Sequence, residues 1–308
     1  MGFLPSPCAA IEVGTNSLHL LIGEPSPEGG LRIRKDLTLM TRLGEGLTPG
    51  GRLLERAIQR TIATLKDFAR TCHSYQVEKL AAVGTNPLRI AVNARDFVLR
   101  VERECSFRLR IISSDEEARL TFLAIIRGYD IDKDPLLVLD IGGGSTEVIY
   151  GKKGVIEEVV SLPVGAVGLT QQYLRGDPVR DEDWEGLLHN LRQQLSSLPQ
   201  ADSSALAFGV GGTLTTLIAV ELGLREFAPR QVERQKLAIP QLAEVIKRLK
   251  SLSVAERRER LALHPLRADI ILAGAAILYT FLERYRREEI VVSIKGVRYG
   301  LLHQLLGG

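Results

Sequence analysis

The chain has 308 residues, 45% of them apolar and 25% charged, with a net charge of +3. That length exceeds one ordinary core and fits two domains with a cleft between them, and the composition excludes a disordered chain. So small a net charge is not the footprint of a dedicated nucleic-acid binder, and the longest apolar run, 270–282, is too short to cross a bilayer.

Cys8, Cys72 and Cys105 stand far apart in no CxxC or histidine-rich frame, so neither a disulfide framework nor a zinc site is expected. The N-terminus lacks the basic-then-apolar layout of a signal peptide, and a loose myristoylation match at Met1, Gly2 and Ser6 is set aside. A soluble, cytoplasmic protein without membrane or nucleic-acid partners is expected.

In chain order, IEVGTNSLHLLIG at 11–23 reads as a buried strand with Glu12 near its end, a turn at Gly14, Thr15, Asn16 and Ser17, and a second strand. Residues 52–72 place Leu54, Ile58, Ile62, Leu65 and Ala69 at helical spacing, and 77–85 reads as a short buried strand. A helix over about 93–105, a strand at 108–112 and a helix beginning at Asp115 follow. No low-complexity linker separates the halves, so the domain boundary is expected inside that last helix. It divides 1–117, rejoined by about 296–308, from 118–295.

LDIGGGSTEVIYG at 139–151 then lies on 11–23 without a gap: Glu12 meets Asp140, Gly14 meets Gly142, Ser17 meets Ser145 and Gly23 meets Gly151. Each copy is a hairpin and not a dinucleotide-binding crossover, because strand-favouring residues follow the glycines where a helix would be needed. Helices near 181–197, a strand-turn-helix from Ala205, helices at 240–250 and 267–285, a strand at 290–293 and a terminal helix complete an alternating α/β pattern.

Glycines let backbone N–H groups converge on an anion, and Ser or Thr hydroxyls add donors. Gly142, Gly143, Gly144, Ser145 and Thr146 form the strongest such run, since three consecutive glycines cost chain entropy without packing anything. The turn at 14–17 taken alone admits either an ordinary hairpin or a phosphate loop, and the matched copy favours the phosphate loop. Gly211, Gly212 and Thr213 open a helix whose N-terminus can attract an anion or simply turn the chain. Asp140 and Glu147 flank the triple glycine and suit Mg²⁺, which takes oxygen ligands. Glu117 admits two readings. Ser114 to Glu117 is a capping-box pattern, while a carboxylate at a domain junction can take a proton from an attacking water. The arginine-rich stretches at 225–236, 247–260 and 284–287 are interspersed with glutamates and read as solvated helix faces more than as a polyanion track. The five histidines show no paired spacing.

Together, EVGTNSLHLLI at Glu12, TRLGEGL at Thr41, GTNPLRIAVN at Gly84, SSDEEARL at Ser113, DIGGGSTEVI at Asp140, LPVGAVGLT at Leu162, GVGGT at Gly209, RADIILAGA at Arg267 and VSIKGVRYGLL at Val292 resemble the exopolyphosphatase and guanosine pentaphosphate phosphatase (Ppx/GppA) family nearly end to end. The resemblance implies an α/β fold of two actin-like, ribonuclease H-like domains around an interdomain cleft, in a short two-domain form without the helical HD-type extension of larger members. It implies Mg²⁺-assisted attack of water on the terminal phosphate of polyphosphate or of guanosine pentaphosphate. By motif position Glu117 would be the general base, and Asp140, Glu147 and Glu12 would manage metal and water. The turns at 14–17, 142–146 and 211–213 would cradle phosphate, and Arg89 and Arg267 would pair with it. A homodimer is implied by the same likeness. The family usually carries Asp at Glu12, Ala at Pro87, Asp at Ile294 and Glu at Tyr299, which motivates a rival reading as a catalytically weak sensor of nucleotides such as guanosine tetraphosphate. The shared superfamily supplies a further one, an ATP-dependent small-molecule kinase.

Overall fold

The computed structural model describes residues 6–131 and 134–307; Met1 and Gly2 of the myristoylation pattern lie outside the described residues. The chain forms two compact units, Met1–Asp130 with Lys295–Gly308, and Ile131–Ile294.

In the first unit β1 (Cys8–Val13), β2 (Ser17–Pro25) and β3 (Leu31–Met40) form an antiparallel meander. After α1 (Glu55–Ser74), β4 (Lys79–Gly84) joins β1 in parallel. After α2 (Asn86–Ile90) and α3 (Ala94–Cys105), β5 (Leu109–Ile111) extends the sheet to the order β3-β2-β1-β4-β5. Successive residues of the buried strands feed opposite faces. Ala9, Ile11, Leu18 and Leu20 pack with Ile58 and Leu65 of α1 and Phe97 of α3. On the other face Cys8, Ala10 and Leu21 pack with Leu120 and Ala124 of α4 (Ser114–Tyr129) and with Leu301 and Leu302 near the chain end.

The second unit repeats the plan. β6 (Leu136–Ile141), β7 (Thr146–Lys152) and β8 (Val155–Leu162) form the meander, α5 (Ala166–Tyr173) and α6 (Asp181–Ser196) follow, and β9 (Leu206–Val210) joins β6 in parallel. Next come α7 (Gly212–Glu221), α8 (Pro229–Val232), β10 (Lys236–Ala238), α9 (Ile239–Lys250), α10 (Val254–Arg260), α11 (Pro265–Ala268), α12 (Ile271–Tyr285) and β11 (Glu289–Val292). The sheet order is β10-β11-β9-β6-β7-β8. The apolar α12 runs through the core, against Leu137, Leu139, Leu187 and Leu191 among others. α13 (Val297–Leu305) then returns to the first unit.

The internal echo extends beyond the turns. The β2–β3 ladder breaks register between Ile22 and Gly23, and the β7–β8 ladder breaks it at the matching pair, Tyr150 and Gly151. The division between units falls after α4, at 130/131, and not inside it. The cause is packing: α13 lies so close to α4 that a Cβ on Gly300 would sit 2.6 Å from the Leu120 carbonyl carbon.

β3, β8, β10, α2, α5, α8 and α10 lie outside the elements expected from periodicity. β3 shows why, since its run of Arg32, Arg34, Lys35 and Asp36 is a charged edge strand with no continuous apolar face to announce it. The three cysteines are free and buried. No described helix is long and apolar enough to cross a membrane.

Candidate active site

The expected site residues divide between the units. Glu12, Gly14–Ser17, Arg89 and Glu117 belong to the first, and Asp140–Glu147, Gly211–Thr213 and Arg267 to the second.

In the first unit the β1–β2 turn closes through the Gly14 N–H to the Ser17 carbonyl at 3.0 Å. The loop after β3 braces it: the Asn16 carbonyl accepts from Thr41 and Arg42, and the Thr15 carbonyl accepts from Gly44 at 2.9 Å. This gives the TRLGEGL segment a structural duty that its sequence alone did not declare. One residue beyond β4, the Thr85 N–H donates to the Val13 carbonyl at 3.1 Å, which carries α2 and Arg89 to the same strand ends as the turn.

Arg89 donates through Nη1 to Glu117 Oε2 at 2.6 Å and to the Ile112 carbonyl at 3.2 Å. Glu117 is 8% exposed. Burial pushes its carboxyl above the ordinary glutamate value, and the Arg89 charge and hydrogen bond pull part of that back. The capping pattern resolves one residue earlier than the sequence suggested. Ser113 is the N-cap and accepts from the Glu116 N–H at 3.1 Å, and Glu116 pairs outward with Arg110. The Glu117 carboxylate faces Arg89 and takes no part in the cap.

In the second unit the register sets Asp140 directly opposite Glu147, so both side chains leave the same face of the sheet with Cβ atoms about 5 Å apart. Glu147 is 1% exposed, and its Oε1 accepts the Ser161 hydroxyl at 2.9 Å from the next strand. The equivalent row in the first unit is Glu12, His19 and Thr38, with His19 Nδ1 and the Thr38 hydroxyl 2.9 Å apart. His19 therefore stands where the second copy has Glu147, so of these two matched rows the second unit's carries the facing carboxylate pair.

The triple-glycine turn closes like its counterpart, Gly142 N–H to Ser145 carbonyl at 3.0 Å. Its carbonyls at Gly142 and Gly143 accept the first N–H groups of α5, from Ala166 and Val167. Gly165 permits this approach, because a Cβ there would lie 2.5 Å from the Gly143 carbonyl oxygen. Thr146 anchors the turn from below, donating its hydroxyl to the Val164 carbonyl at 2.7 Å. The N–H groups of Gly143 and Gly144, by contrast, have no protein acceptor among the described residues. Such N–H groups are what an anion needs.

Gly211 holds a left-handed φ of +95° as it starts α7, packed where a Cβ would be 2.7 Å from the Ile141 carbonyl and 3.2 Å from Asp140 Oδ1. Next to it, a Cβ on Gly212 would fall 2.6 Å from the guanidinium carbon of Arg267. The second glycine turn, the first turn of α7, Asp140, Glu147 and Arg267 therefore converge at one end of β6, β7 and β9. α7 begins with orphan N–H groups and the positive end of its dipole, which suits an anion.

Among the described residues no group of three or more His, Cys, Asp or Glu is placed to hold a metal. Two facing carboxylates fit Mg²⁺ nonetheless, since this ion is commonly held by one or two carboxylates and completes its shell with water and substrate phosphate. About half of the cations in the arginine-rich stretches have structural partners. Lys236 pairs with Glu289, Lys250 with Asp181 and Arg260 with Glu256, while Arg284 and Arg287 cap backbone carbonyls.

The chain matches the model of the Ppx/GppA phosphatase family over residues 27–307. Exopolyphosphatase 2 of Mycobacterium tuberculosis is 30% identical over 97% of this chain and 98% of its own length. A bifunctional 3-dehydroquinate synthase/phosphatase of Fusobacterium nucleatum is also 30% identical, over 92% of this chain, which spans only 44% of that longer protein. The solved Ppx/GppA family member of Aquifex aeolicus superposes with a TM-score of 0.84 at 32% identity, covering 99% of both chains. The two mixed α/β units are accordingly actin-like domains. On sequence and fold alike, the chain belongs to the Ppx/GppA phosphatase family.

Proposed function

We propose that this protein is an exopolyphosphatase, hydrolysing the terminal phosphoanhydride of inorganic polyphosphate and, in the same site, of guanosine pentaphosphate. The observation that carries the reading is the convergence in the second unit of donors without protein acceptors, Arg267 and a facing carboxylate pair. That is a receptor for a phosphate chain and its cation.

In this reading the N–H groups of Gly143, Gly144 and the first turn of α7 bind phosphate oxygens, and the turn at Gly14–Ser17 supplies a matching set. Arg267 and Arg89 neutralise and orient the chain, with Arg89 turning part of its guanidinium from Glu117 to phosphate. Asp140 and Glu147 would hold Mg²⁺, with Glu12 as an accessory carboxylate; the ion would neutralise phosphate charge. Glu117 accepts the proton of the attacking water at its carboxylate. Catalysis is then positioning plus charge neutralisation, as in phosphoryl transfer generally.

Incubating the purified protein and Mg²⁺ with polyphosphate and, separately, with guanosine pentaphosphate tests this through released phosphate. Release from either substrate supports hydrolysis and identifies the preferred one; release from neither overturns it. Tight guanosine tetraphosphate binding without turnover would instead mark a sensor. The proposal extends to a cytoplasmic homodimer, which sedimentation of the purified chain checks.

A further inference from the structure

α10 is a short helix held by a capping box between Ser253 and Glu256, and its one buried residue is Arg257. This long cationic side chain is 1% exposed. Its Nε donates to the Leu249 carbonyl in the last turn of α9 at 2.8 Å, and its Nη1 donates to the Ala268 carbonyl at the end of α11 at 3.1 Å. Its own carbonyl accepts the N–H groups of Leu261 and Leu263, closing the turn after α10. One residue thus ties three helices together.

Arg257 feels the charges of Asp177 and Asp269, but its hydrogen bonds go to backbone carbonyls, and its Nη2 has no hydrogen-bond partner among the described residues. Burying a cation in that condition is costly, and an apolar side chain of similar volume fills space at no such cost. What Leu or Met cannot do is bind the terminal carbonyls of two separate helices at once. Position, not packing, is therefore what this side chain supplies.

The element it positions is α11, a four-residue turn with Leu266 outside helical geometry at φ −84° and ψ 17°. At its start the His264 carbonyl accepts from Arg267 and Ala268, and the His264 ring accepts from the Leu266 N–H. At its far end Arg257 grips Ala268. Between these two anchors stands Arg267, with its guanidinium over Gly212 at the N-terminus of α7.

We infer that Arg257 is a positioning residue for phosphate binding, holding the α10–α11 corner so that Arg267 stays over the start of α7. This rests on the reading of that spot as a phosphate site. A displacement near 1 Å at such a site can cost about a hundredfold.

The test is calorimetric binding of tripolyphosphate with Mg²⁺ to the full chain, beside KM and kcat, for Arg267→Met, Arg257→Met, Arg257→Lys and the double Met variant, each checked by thermal melting. Arg267→Met should weaken binding about tenfold, the scale of a lost charge-assisted contact. Arg257→Met should weaken it similarly although that side chain is bonded to helix carbonyls, with KM rising more than kcat falls. The double variant should be no worse than Arg267→Met alone, because two groups acting through one contact do not add. A folded Arg257→Met protein with wild-type affinity, or losses that add in the double variant, overturns the inference. Wild-type affinity in Arg267→Met overturns the phosphate-site reading itself. Should Arg257→Met fail to fold, Arg257→Lys decides: it keeps the charge but loses the two-carbonyl fork, so KM should rise at a native melting profile, and an unchanged KM overturns the inference.

Discussion

Arg89 Nη1 lies 2.6 Å from Glu117 Oε2, and the carboxylate so held is 8% exposed and free of the helix cap beside it. A general base gains from such a place: burial raises its proton affinity, a cationic neighbour partly offsets that rise, and no backbone donor engages it. Glu117→Gln keeps the shape and an acceptor for Arg89 while removing the proton acceptor. Turnover should fall by about 10²–10⁴, the usual contribution of a general base, with substrate binding and the melting curve nearly intact. A Glu117→Gln enzyme turning over at the wild-type rate would refute the assignment.

The same pair sets a pH dependence. Burial raises the Glu117 pKa above its ordinary 4.5 and Arg89 opposes the rise. The base must be ionised to act, so kcat/KM should fall as pH drops through a value above 4.5. Arg89→Met removes the opposing influence, and the acid limb should move to higher pH. For stability the sign reverses. A carboxyl whose folded pKa exceeds its unfolded value contributes most below the unfolded value, and that contribution is lost as pH rises through the folded one. Phosphate-release profiles of wild type and Arg89→Met, fitted for the acid limb, make the comparison; coincident limbs would contradict it.

Gly165 gives a purely steric test. Its Cβ position is occupied by the backbone of Gly143 and Gly144, which cannot rotate aside as a side chain can. Gly165→Ala should push the triple-glycine turn off the N-terminus of α5, costing about 1–3 kcal/mol in stability and raising KM for polyphosphate. Gly168→Ala, inside α5 with open space at its Cβ, is the control: it should leave KM unchanged and raise stability slightly, since alanine is the better helix former.

Much of this was legible in the chain because the phosphate turns are local. A strand, an acidic residue and a glycine run within thirteen residues fix a hairpin, and a matched second copy fixes its importance. The ladder supports that reading down to the shared register break at Gly23 and Gly151. Less legible was whatever depends on partners far along the sequence. Arg89 meets Glu117 across 28 positions, Ser161 orients Glu147 across 14, and Gly165 matters only because the Gly143 backbone lies against it. The cap at Ser113 was misplaced by one residue because two adjacent serines offer the same pattern, and only the observed hydrogen bond distinguishes them.

Tyr299 has a structural duty in the first unit. Its hydroxyl donates to Asp36 Oδ2 at 3.0 Å, beside the two-pronged Arg298 bond to the same carboxylate at 3.0 and 3.2 Å. Tyr299→Phe should cost about 1 kcal/mol, one hydrogen bond's worth, without changing kcat. Asp36→Asn strands a largely buried Arg298 and should cost about 3 kcal/mol. Urea melts of the two variants give the ranking, and a Tyr299→Phe protein with altered kcat would place the residue in catalysis instead.

In the proposed site the facing pair Asp140 and Glu147 would hold the divalent cation. A β-ladder sets the two carboxylates opposite one another, and the Ser161 hydroxyl donates to one oxygen of Glu147. Asp140→Asn retains size and hydrogen bonding but removes one of two negative charges near the cation. The Mg²⁺ concentration for half-maximal activity should rise at least about tenfold, as loss of a charge-assisted contact implies, while saturating Mg²⁺ restores part of kcat. Ser161→Ala removes one hydroxyl donor from Glu147 without removing a charge and should shift the Mg²⁺ requirement far less. Chelation with EDTA should abolish wild-type turnover, and Mg²⁺ added back should restore it. Identical Mg²⁺ titrations for wild type and Asp140→Asn would remove this pair from metal binding and leave the glycine turns and arginines to bind the phosphate chain alone.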